Sequence, residues 1–182
     1  MSAQATPISV FDALPIETGG TAARQGFAFQ DHVAAGFCID LLLEPELSEV
    51  WCETQDDCTL ILHKLGQAHA EYVQSKNTNP DQLWTVALLC DRSYQGVGHS
   101  ILEKSLAYDR CRETCNFRFV TSCDVGSALR PLTYPFGAPG RDSSEEDVKS
   151  LYADVNTRIG TYQSTNGNNC KFWLDRDLAP KN

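Results

Sequence analysis

The spacing of apolar residues near the start of the chain predicts a long helix. Counted from Gln30, apolar residues follow at offsets of 3, 4, 7 and 11, namely Val33, Ala34, Phe37 and Leu41. This is the period of one buried helical face. Thr21 is a suitable N-cap and Pro45 prevents continuation beyond Leu43, so we expect a helix over 21–43. Gln30 lies in line with the apolar positions, where a polar side chain needs a hydrogen-bond partner.

Short runs rich in β-branched and aromatic residues follow this helix. They predict three strands in succession, over 49–53, 58–62 and 71–76, joined by a bend at 54–57 and a turn at 66–69. Alternate side chains of a strand share one face, so Tyr72, Gln74 and Lys76 point to the same side.

The second half of the chain is expected to be mainly helical. Asp81 is expected to cap a short helix from Gln82 to about Cys90, and a longer helix is expected from His99 to Glu113. Beyond these helices we expect a strand over 117–121, a helix from the cap Ser143-Ser144 to about residue 160, and a last strand over 171–174. Helices that alternate with strands in this way predict an α/β domain with a mixed central sheet flanked by helices.

Length and composition favour one globular domain. The chain has 182 residues, of which 42% are hydrophobic and 21% charged, and it contains no repeats. We expect an irregular leader over 1–18 and one domain over 19–182. No closing element is evident before Asn182, which suggests the N-terminal part of a longer protein.

No segment of the sequence is expected to cross a membrane or direct secretion. The most apolar run, residues 36–43, is short and contains Asp40, whereas a span needs about 20 apolar residues. The first 17 residues carry no basic region and no long apolar core. We therefore expect a cytoplasmic protein without a membrane partner.

Cysteine spacing and charge each limit the range of functions. The eight cysteines form no C-x-x-C pair, which favours buried reduced thiols over a zinc site, although Cys111 and Cys115 lie one helical turn apart. The net charge of −9 argues against non-specific binding to phosphates. It leaves open a site in which acidic residues bind metal ions and a few bases contact phosphate.

The clearest candidates for catalysis or metal binding are Glu53, Asp56 and Asp57 together with Gln74 and Lys76. If their strands are hairpin neighbours, the carboxylates and the lysine meet at one point. Carboxylate and amide oxygens are ligands that Mg²⁺ prefers, and a lysine beside them could orient a water or stabilise charge on a phosphate. The alternative is that the acids are ordinary turn residues and that the glutamine and lysine lie on a solvent-exposed strand face.

Other catalytic patterns find little support in the sequence. The histidines are accompanied by no G-x-S-x-G nucleophile elbow. Gly96-Val97-Gly98 lacks the third glycine and the preceding strand of a dinucleotide-binding fingerprint.

Three segments in register resemble one known family. Residues 21–30, which read TAARQGFAFQ, are similar to the A-R-x-G-F-x-x-Q opening of a bacterial anti-phage nuclease family found at the N-terminus of CBASS double-stranded DNA endonuclease effectors. Residues 50–57 (VWCETQDD) and 72–76 (YVQSK) fit the same family in order and spacing. The resemblance is clear over 19–92 and implies a restriction-endonuclease-like fold of the PD-(D/E)xK superfamily.

The resemblance also implies roles for individual residues. Asp57 matches the metal-binding aspartate, Gln74 replaces the usual glutamate, and Lys76 matches the catalytic lysine. The backbone carbonyl of Ser75 stands where such folds often add a metal ligand. Gln30 matches a polar helix residue that faces the active site in many members.

Further residues are candidates for metal or DNA binding. Glu53 is favoured over Asp56 as the ligand of a second metal ion. The bases considered for phosphate contacts are Arg24, Lys64, Arg92, Lys104, Arg110 and Arg112.

The function implied is Mg²⁺- or Mn²⁺-dependent hydrolysis of double-stranded DNA, with little sequence specificity, in anti-phage defence. The resemblance further implies a homo-oligomer on activation and control by a sensor domain or partner protein. The neutral Gln74 and the acidic surface leave one alternative open, a non-catalytic module of the same fold that binds nucleic acid or mediates assembly.

Overall fold

A mixed sheet of four strands forms the centre of the described part of the protein. The structure is a computed structural model, and it describes residues 19–54, 56–77, 81–93, 95–142 and 145–177. The strands lie in the order in which they occur along the chain, β1 (Leu47–Cys52), β2 (Cys58–Lys64), β3 (Gln67–Lys76) and β4 (Thr114–Thr121). The helices are α1 (Gly19–Leu43), α2 (Val86–Leu89), α3 (Ile101–Leu106), α4 (Glu146–Ile159) and α5 (Cys170–Leu174), with two 3₁₀ helices at Ser127–Thr133 and Pro139–Arg141. The α/β architecture with a mixed sheet flanked by helices is as predicted, and the predicted leader over 1–18 lies outside the described residues.

The first three strands form an antiparallel meander, and the fourth adds a parallel edge. Cys58 pairs with Val73 in the β2–β3 hairpin, and Gln74 pairs with Phe119 in the parallel β3–β4 ladder. The hairpin turn consists of Leu65 and Gly66, whose φ angles are 51° and 78°. Two successive positive φ angles are typical of the type I′ turn that joins neighbouring strands. The turn therefore lies earlier than the predicted 66–69.

Hydrophobic side chains cover both faces of the sheet. On one face, Phe37 of α1 packs with Leu60 and Val73, and the partly buried Val33, Ala34, Leu41 and their neighbours complete this cluster. The predicted apolar face of the first helix is thus confirmed. On the other face, a larger core includes Tyr72, Phe117 and residues of α2 to α5.

One helix passes the length and composition test for a membrane span, contrary to the sequence expectation. The segment Arg24–Leu43 of α1 is long and apolar enough to cross a bilayer. One such helix is weak evidence, because a mostly buried core helix or a signal sequence near the N-terminus has the same length and composition, and here only 6% of the segment is buried. In this structure α1 lies against the sheet and contributes Phe37 to the core.

Two predicted helices are shorter than expected. Thr85, rather than Asp81, caps α2, and its side chain accepts a hydrogen bond from the Leu88 N–H. The helix predicted over 99–113 begins with a capping box of Ser100 and Glu103 and ends at Leu106. Strand β4 begins as early as Thr114, so the chain needs residues 107–113 to reverse direction.

The predicted last strand over 171–174 is wrong, since this segment forms α5. Asn169 caps the helix by accepting a hydrogen bond from the Lys171 N–H. Cys170, Trp173 and Leu174 are buried, and their spacing of three and four residues suits one helical face. Trp173 also donates a hydrogen bond to Ser105 at 2.9 Å. The β-forming preference of Phe172 and Trp173 is therefore overridden by tertiary packing.

Candidate functional site

The β2–β3 hairpin brings the predicted acidic and basic residues together. Asp57 directly precedes β2, and Ser75 and Lys76 end β3, the neighbouring strand. Asp57 Oδ2 accepts hydrogen bonds from the Ser75 N–H at 2.7 Å and the Ser75 hydroxyl at 3.1 Å. Lys76 Nζ lies 3.4 Å from the same oxygen. The predicted meeting of the aspartate and the lysine thus follows from strand pairing alone.

The bend between β1 and β2 sets the direction of the other acids. Glu53 has a φ of 55°, in the left-handed region, and its N–H donates to the Asp57 carbonyl at 3.1 Å. The Asp57 N–H in turn donates to Asp56 Oδ1 at 2.9 Å. Glu53, Asp56 and Asp57 all line one open pocket as a result.

This pocket has a volume of about 450 Å³ and is bordered by two parts of the chain. The first part is the hairpin with its preceding bend, and the second is the crossover from β3 to β4. The lining residues are Glu53, Thr54, Asp56, Asp57, Gln74, Gly98, Lys104, Ala107 and Tyr108. Acids thus predominate in the first part, whereas the second contributes a lysine and a tyrosine.

Asp56 is the pocket residue that sequence reasoning undervalued. Asp56 is only 8% exposed, and its Oδ2 has no hydrogen-bond partner within the described part of the chain. Burial is the main cause that raises the pKa of Asp56 to about 7, and the charge of Asp57 raises it further. The adjacent N–H of Asp57 and the charge of Lys76 lower the pKa by smaller amounts. No sequence signal separates Asp56 from an ordinary turn residue, because its burial depends on the backbone of the bend.

Besides Asp56 Oδ2, Gln74 provides a second pocket oxygen that accepts no hydrogen bond from a described residue. Its Oε1 is buried and unpartnered among the described residues, and the residue is 8% exposed. Within the described ranges no group of three or more His, Cys, Asp or Glu side chains could hold a metal ion. A divalent cation would therefore need the amide oxygen of Gln74 beside the carboxylates of Asp56 and Asp57. Such an all-oxygen set fits Mg²⁺ or Mn²⁺.

Ser75 and Gln30 do not line the pocket. Ser75 is 3% exposed and holds Asp57 through the two hydrogen bonds described above. The role predicted for its carbonyl stays a prediction. Gln30 lies on α1, which covers the other face of the sheet, and its Oε1 is buried without a partner among the described residues.

The candidate DNA-binding bases lie in different parts of the structure. Lys104 is exposed and lines the pocket, whereas Lys64 lies at the opposite end of β2, about 20 Å away along the strand. Arg92 forms an ion pair with the fully buried Glu103, with 2.7 Å between Nη2 and Oε1. Arg24 is exposed near the start of α1. Lys104 is thus the candidate base that directly borders the acidic residues.

Tyr108 is a pocket residue for which the sequence gave no signal. Its ring stacks on that of the buried Tyr72, with centroids 5.1 Å apart and an interplanar angle of 26°. Burial raises the pKa of Tyr108 to about 12, and the charges of Asp56 and Asp57 contribute to this rise. The hydroxyl therefore keeps its proton at neutral pH and can donate a hydrogen bond.

Comparison with known proteins gives the family of the chain. Anti-bacteriophage protein A of Escherichia coli (strain K12) is 27% identical over 169 residues, which make up 87% of this chain and 29% of that protein. The chain thus spans less than a third of the length of this relative. No solved structure matches the chain significantly. The family model of the Cap4 dsDNA endonuclease domain matches residues 18–172. The chain therefore belongs to the Cap4 dsDNA endonuclease domain family.

Proposed function

We propose that this protein is a metal-dependent DNA endonuclease of bacterial anti-phage defence that cleaves duplex DNA with little sequence specificity. The observation that carries the proposal is the contact of Asp57 with Lys76, 3.4 Å apart, beside a pocket lined by further acids. Membership of a dsDNA endonuclease family supports the substrate. The defence role is supported by the name of the relative, anti-bacteriophage protein A.

The carboxylates of Asp56 and Asp57 and the amide oxygen of Gln74 would hold Mg²⁺ or Mn²⁺, with Glu53 as a further ligand. When bound there, the ion supplies a Lewis acid that polarises a phosphoryl oxygen and lowers the pKa of a bound water. Gln74 is neutral where a glutamate is usual, and Asp56, once deprotonated, adds a second negative charge beside Asp57.

Lys76 is proposed to act on the attacking water and the phosphate. Its ammonium group donates hydrogen bonds that orient the water oxygen or stabilise charge on the phosphoryl oxygens. In the reaction the water oxygen forms a bond to phosphorus and releases a proton to the solvent, one ester P–O bond breaks, and the leaving oxygen takes up a proton from the solvent. Ser75 supports this step indirectly, because its two hydrogen bonds hold Asp57 in place.

A second candidate is a non-catalytic module that binds nucleic acid or mediates assembly. The neutral Gln74 and the net charge of −9 favour it. Manganese binding separates the two candidates, because a module without catalytic activity does not require a cation at Asp57. Isothermal calorimetry with Mn²⁺ on the wild type and on Asp57→Asn measures this directly.

The test of the proposed function is cleavage of plasmid DNA with Mn²⁺ or Mg²⁺ at high protein concentration. We expect the wild type to cleave and Asp57→Asn and Lys76→Ala to be inactive, with circular dichroism showing that both remain folded. Lys149→Ala is the matched control, since Lys149 is an exposed lysine of α4 outside the pocket. Full activity of Lys76→Ala would contradict the assignment.

Oligomerisation and control by a sensor belong to the same proposal. The relative is more than three times as long as the part that aligns with this chain, since the alignment covers 29% of it. The additional length offers room for a sensor domain. If activation requires clustering, cleavage should rise more steeply than in proportion to protein concentration.

A further inference from the structure

The two walls of the pocket have complementary chemistry. The hairpin side carries the acids, which by themselves repel a phosphate. The crossover side carries Lys104 and Tyr108, an ammonium group and a phenol hydroxyl, which are hydrogen-bond donors. A phosphodiester that approaches the acids through a bound cation therefore meets donors on the other wall.

The ring of Tyr108 is held in a fixed place while its hydroxyl is left without a partner. The ring lies on Tyr72, which is 4% exposed and belongs to the main core. No described residue forms a hydrogen bond with the Tyr108 hydroxyl. A tyrosine that served packing alone would gain nothing from an unpartnered hydroxyl on a residue that lines a polar pocket. The arrangement is that of a preorganised donor.

The backbone of Lys104 is also held in place, whereas its ammonium group forms no ion pair with a described residue. It lies on α3, whose first turn is stabilised by the capping box of Ser100 and Glu103. Glu103 is further tied to Arg92 by hydrogen bonds of 2.7 and 3.1 Å. Arg92 thus has an acidic partner, whereas Lys104 forms no ion pair with any described residue. Its charge remains available to a ligand.

We infer that Lys104 and Tyr108 form a phosphate-binding wall, in which the Tyr108 hydroxyl donates to a non-bridging oxygen of the DNA phosphate and Lys104 neutralises its charge. This inference rests on the proposed function and adds to it a substrate-contacting tyrosine. A tyrosine phenol, with an ordinary pKa of about 10, stays protonated at neutral pH. It therefore binds an anionic oxygen without adding negative charge to the pocket.

The experiment measures DNA binding separately from cleavage. A fluorescein-labelled DNA duplex is titrated with protein in Ca²⁺, which occupies oxygen sites, and anisotropy is recorded for Tyr108→Phe and Lys104→Gln. Tyr108→Phe keeps the ring on Tyr72 and removes only the hydroxyl. The matched controls are Tyr134→Phe and Lys149→Gln, which alter exposed residues outside the pocket.

We expect about tenfold weaker binding for Tyr108→Phe, the effect of losing one hydrogen bond to a charged group. We expect the controls to bind like the wild type, and Lys104→Gln to show a smaller dependence of binding on salt concentration. Equal binding by Tyr108→Phe and the wild type would overturn the inference. So would equal weakening in Tyr134→Phe, or no binding by the wild type.

Cleavage assays on the same samples distinguish this inference from the proposed function. If the wild type binds but does not cleave, and Tyr108→Phe binds more weakly, the phosphate-binding wall stands and the proposed endonuclease fails. If the wild type and Tyr108→Phe bind and cleave equally, the endonuclease stands and the phosphate-binding wall fails.

Discussion

Asp57 and Ser75, eighteen residues apart in sequence, are joined by a hydrogen bond of 2.7 Å from the Ser75 N–H to Asp57 Oδ2. Because this donor belongs to the backbone of β3, the carboxylate is positioned by the strand pairing itself. Lys76, the next residue along β3, reaches the same oxygen. Proper pairing of the hairpin is therefore sufficient to assemble this part of the site.

Ser75→Ala should lower cleavage without abolishing it. The substitution removes the hydroxyl donor at 3.1 Å but leaves the backbone donor at 2.7 Å. The loss of one hydrogen bond to a carboxylate corresponds to roughly 1.5 kcal/mol, or about tenfold in the cleavage rate. Initial rates of plasmid nicking measure the effect. Ser48→Ala is the control, since that serine bonds the Ile61 carbonyl on the opposite edge of β2.

Gln74→Glu should strengthen metal binding. A carboxylate at this position adds one negative charge beside Asp56 and Asp57, and we expect the dissociation constant for Mn²⁺ to fall about tenfold or more. Without metal, the same variant should be less stable, because a third acid is then buried among the other two. Calorimetry measures the affinity. Gln67→Glu, at the exposed far end of β3, should leave it unchanged.

Glu71→Gln should destabilise the fold. Glu71 of β3 and Arg118 of β4 form an ion pair across neighbouring strands, with their side chains only 4% and 5% exposed. The guanidinium also lies 6.0 Å from the centre of the Phe37 ring. Removing the charge of Glu71 takes a buried ion-pair partner from Arg118, which costs about 3–5 kcal/mol. Urea denaturation gives this difference.

The exposed pair of Arg112 and Glu113 provides the control for that experiment. Arg112 Nε and Glu113 Oε1 lie 2.9 Å apart, and the arginine side chain is 95% exposed. Glu113→Gln should therefore change the free energy of unfolding little. A comparable loss in both variants would show that burial is not the cause.

Asp177→Asn should reduce the dependence of stability on pH. Burial raises the pKa of Asp177 from 3.8 to about 7 although the charge of Arg141 lowers it. Because the folded-state pKa exceeds the unfolded value, folding takes up a proton. The free energy of unfolding therefore falls as the pH rises from about 4 to about 7, and the loss is complete above that range.

The corresponding measurement compares the wild type with Asp177→Asn by denaturation at several pH values. We expect the wild type to lose up to about 3 kcal/mol more than the variant between about pH 5 and pH 8. Arg141 stays hydrogen-bonded in the variant, because it donates to the carbonyls of Pro131, Leu174 and Asp177. If the free energies of unfolding of the wild type and Asp177→Asn changed with pH in parallel, a raised pKa at Asp177 would be excluded.

Local patterns were sufficient to predict the elements that form the hairpin side of the site. The apolar face of α1 depends on residue spacing, and α1 buries the face that this spacing indicates. Strands β2 and β3 form where the composition of their segments predicts strands, and both of their faces are covered. The register that places Asp57 beside Ser75 follows because both residues lie at the same end of an antiparallel pair.

The remaining features depend on contacts between distant parts of the chain. The segment around Trp173 resembles a strand in composition, but its bond to Ser105, 68 residues earlier, favours a helix. Tyr108 follows the end of α3, and its ring stacks on Tyr72, 36 residues earlier in the chain. Asp56 is likewise buried although it lies in the bend between two strands, where an acid is ordinarily exposed. Spacing within a single segment carries none of this information.

The parallel pairing of β3 with β4 has a consequence for the order in which the site assembles during folding. The β2–β3 hairpin closes over a turn of two residues, Leu65 and Gly66, so the acidic wall can form early from local contacts. The parallel ladder requires residues 77–113 to cross over first, and this crossover carries Lys104 and Tyr108. A nascent chain would thus present the proposed metal ligands before the proposed phosphate donors. The full pocket arises only once the long-range topology is complete, so we expect a partly synthesised chain to lack the proposed nuclease activity.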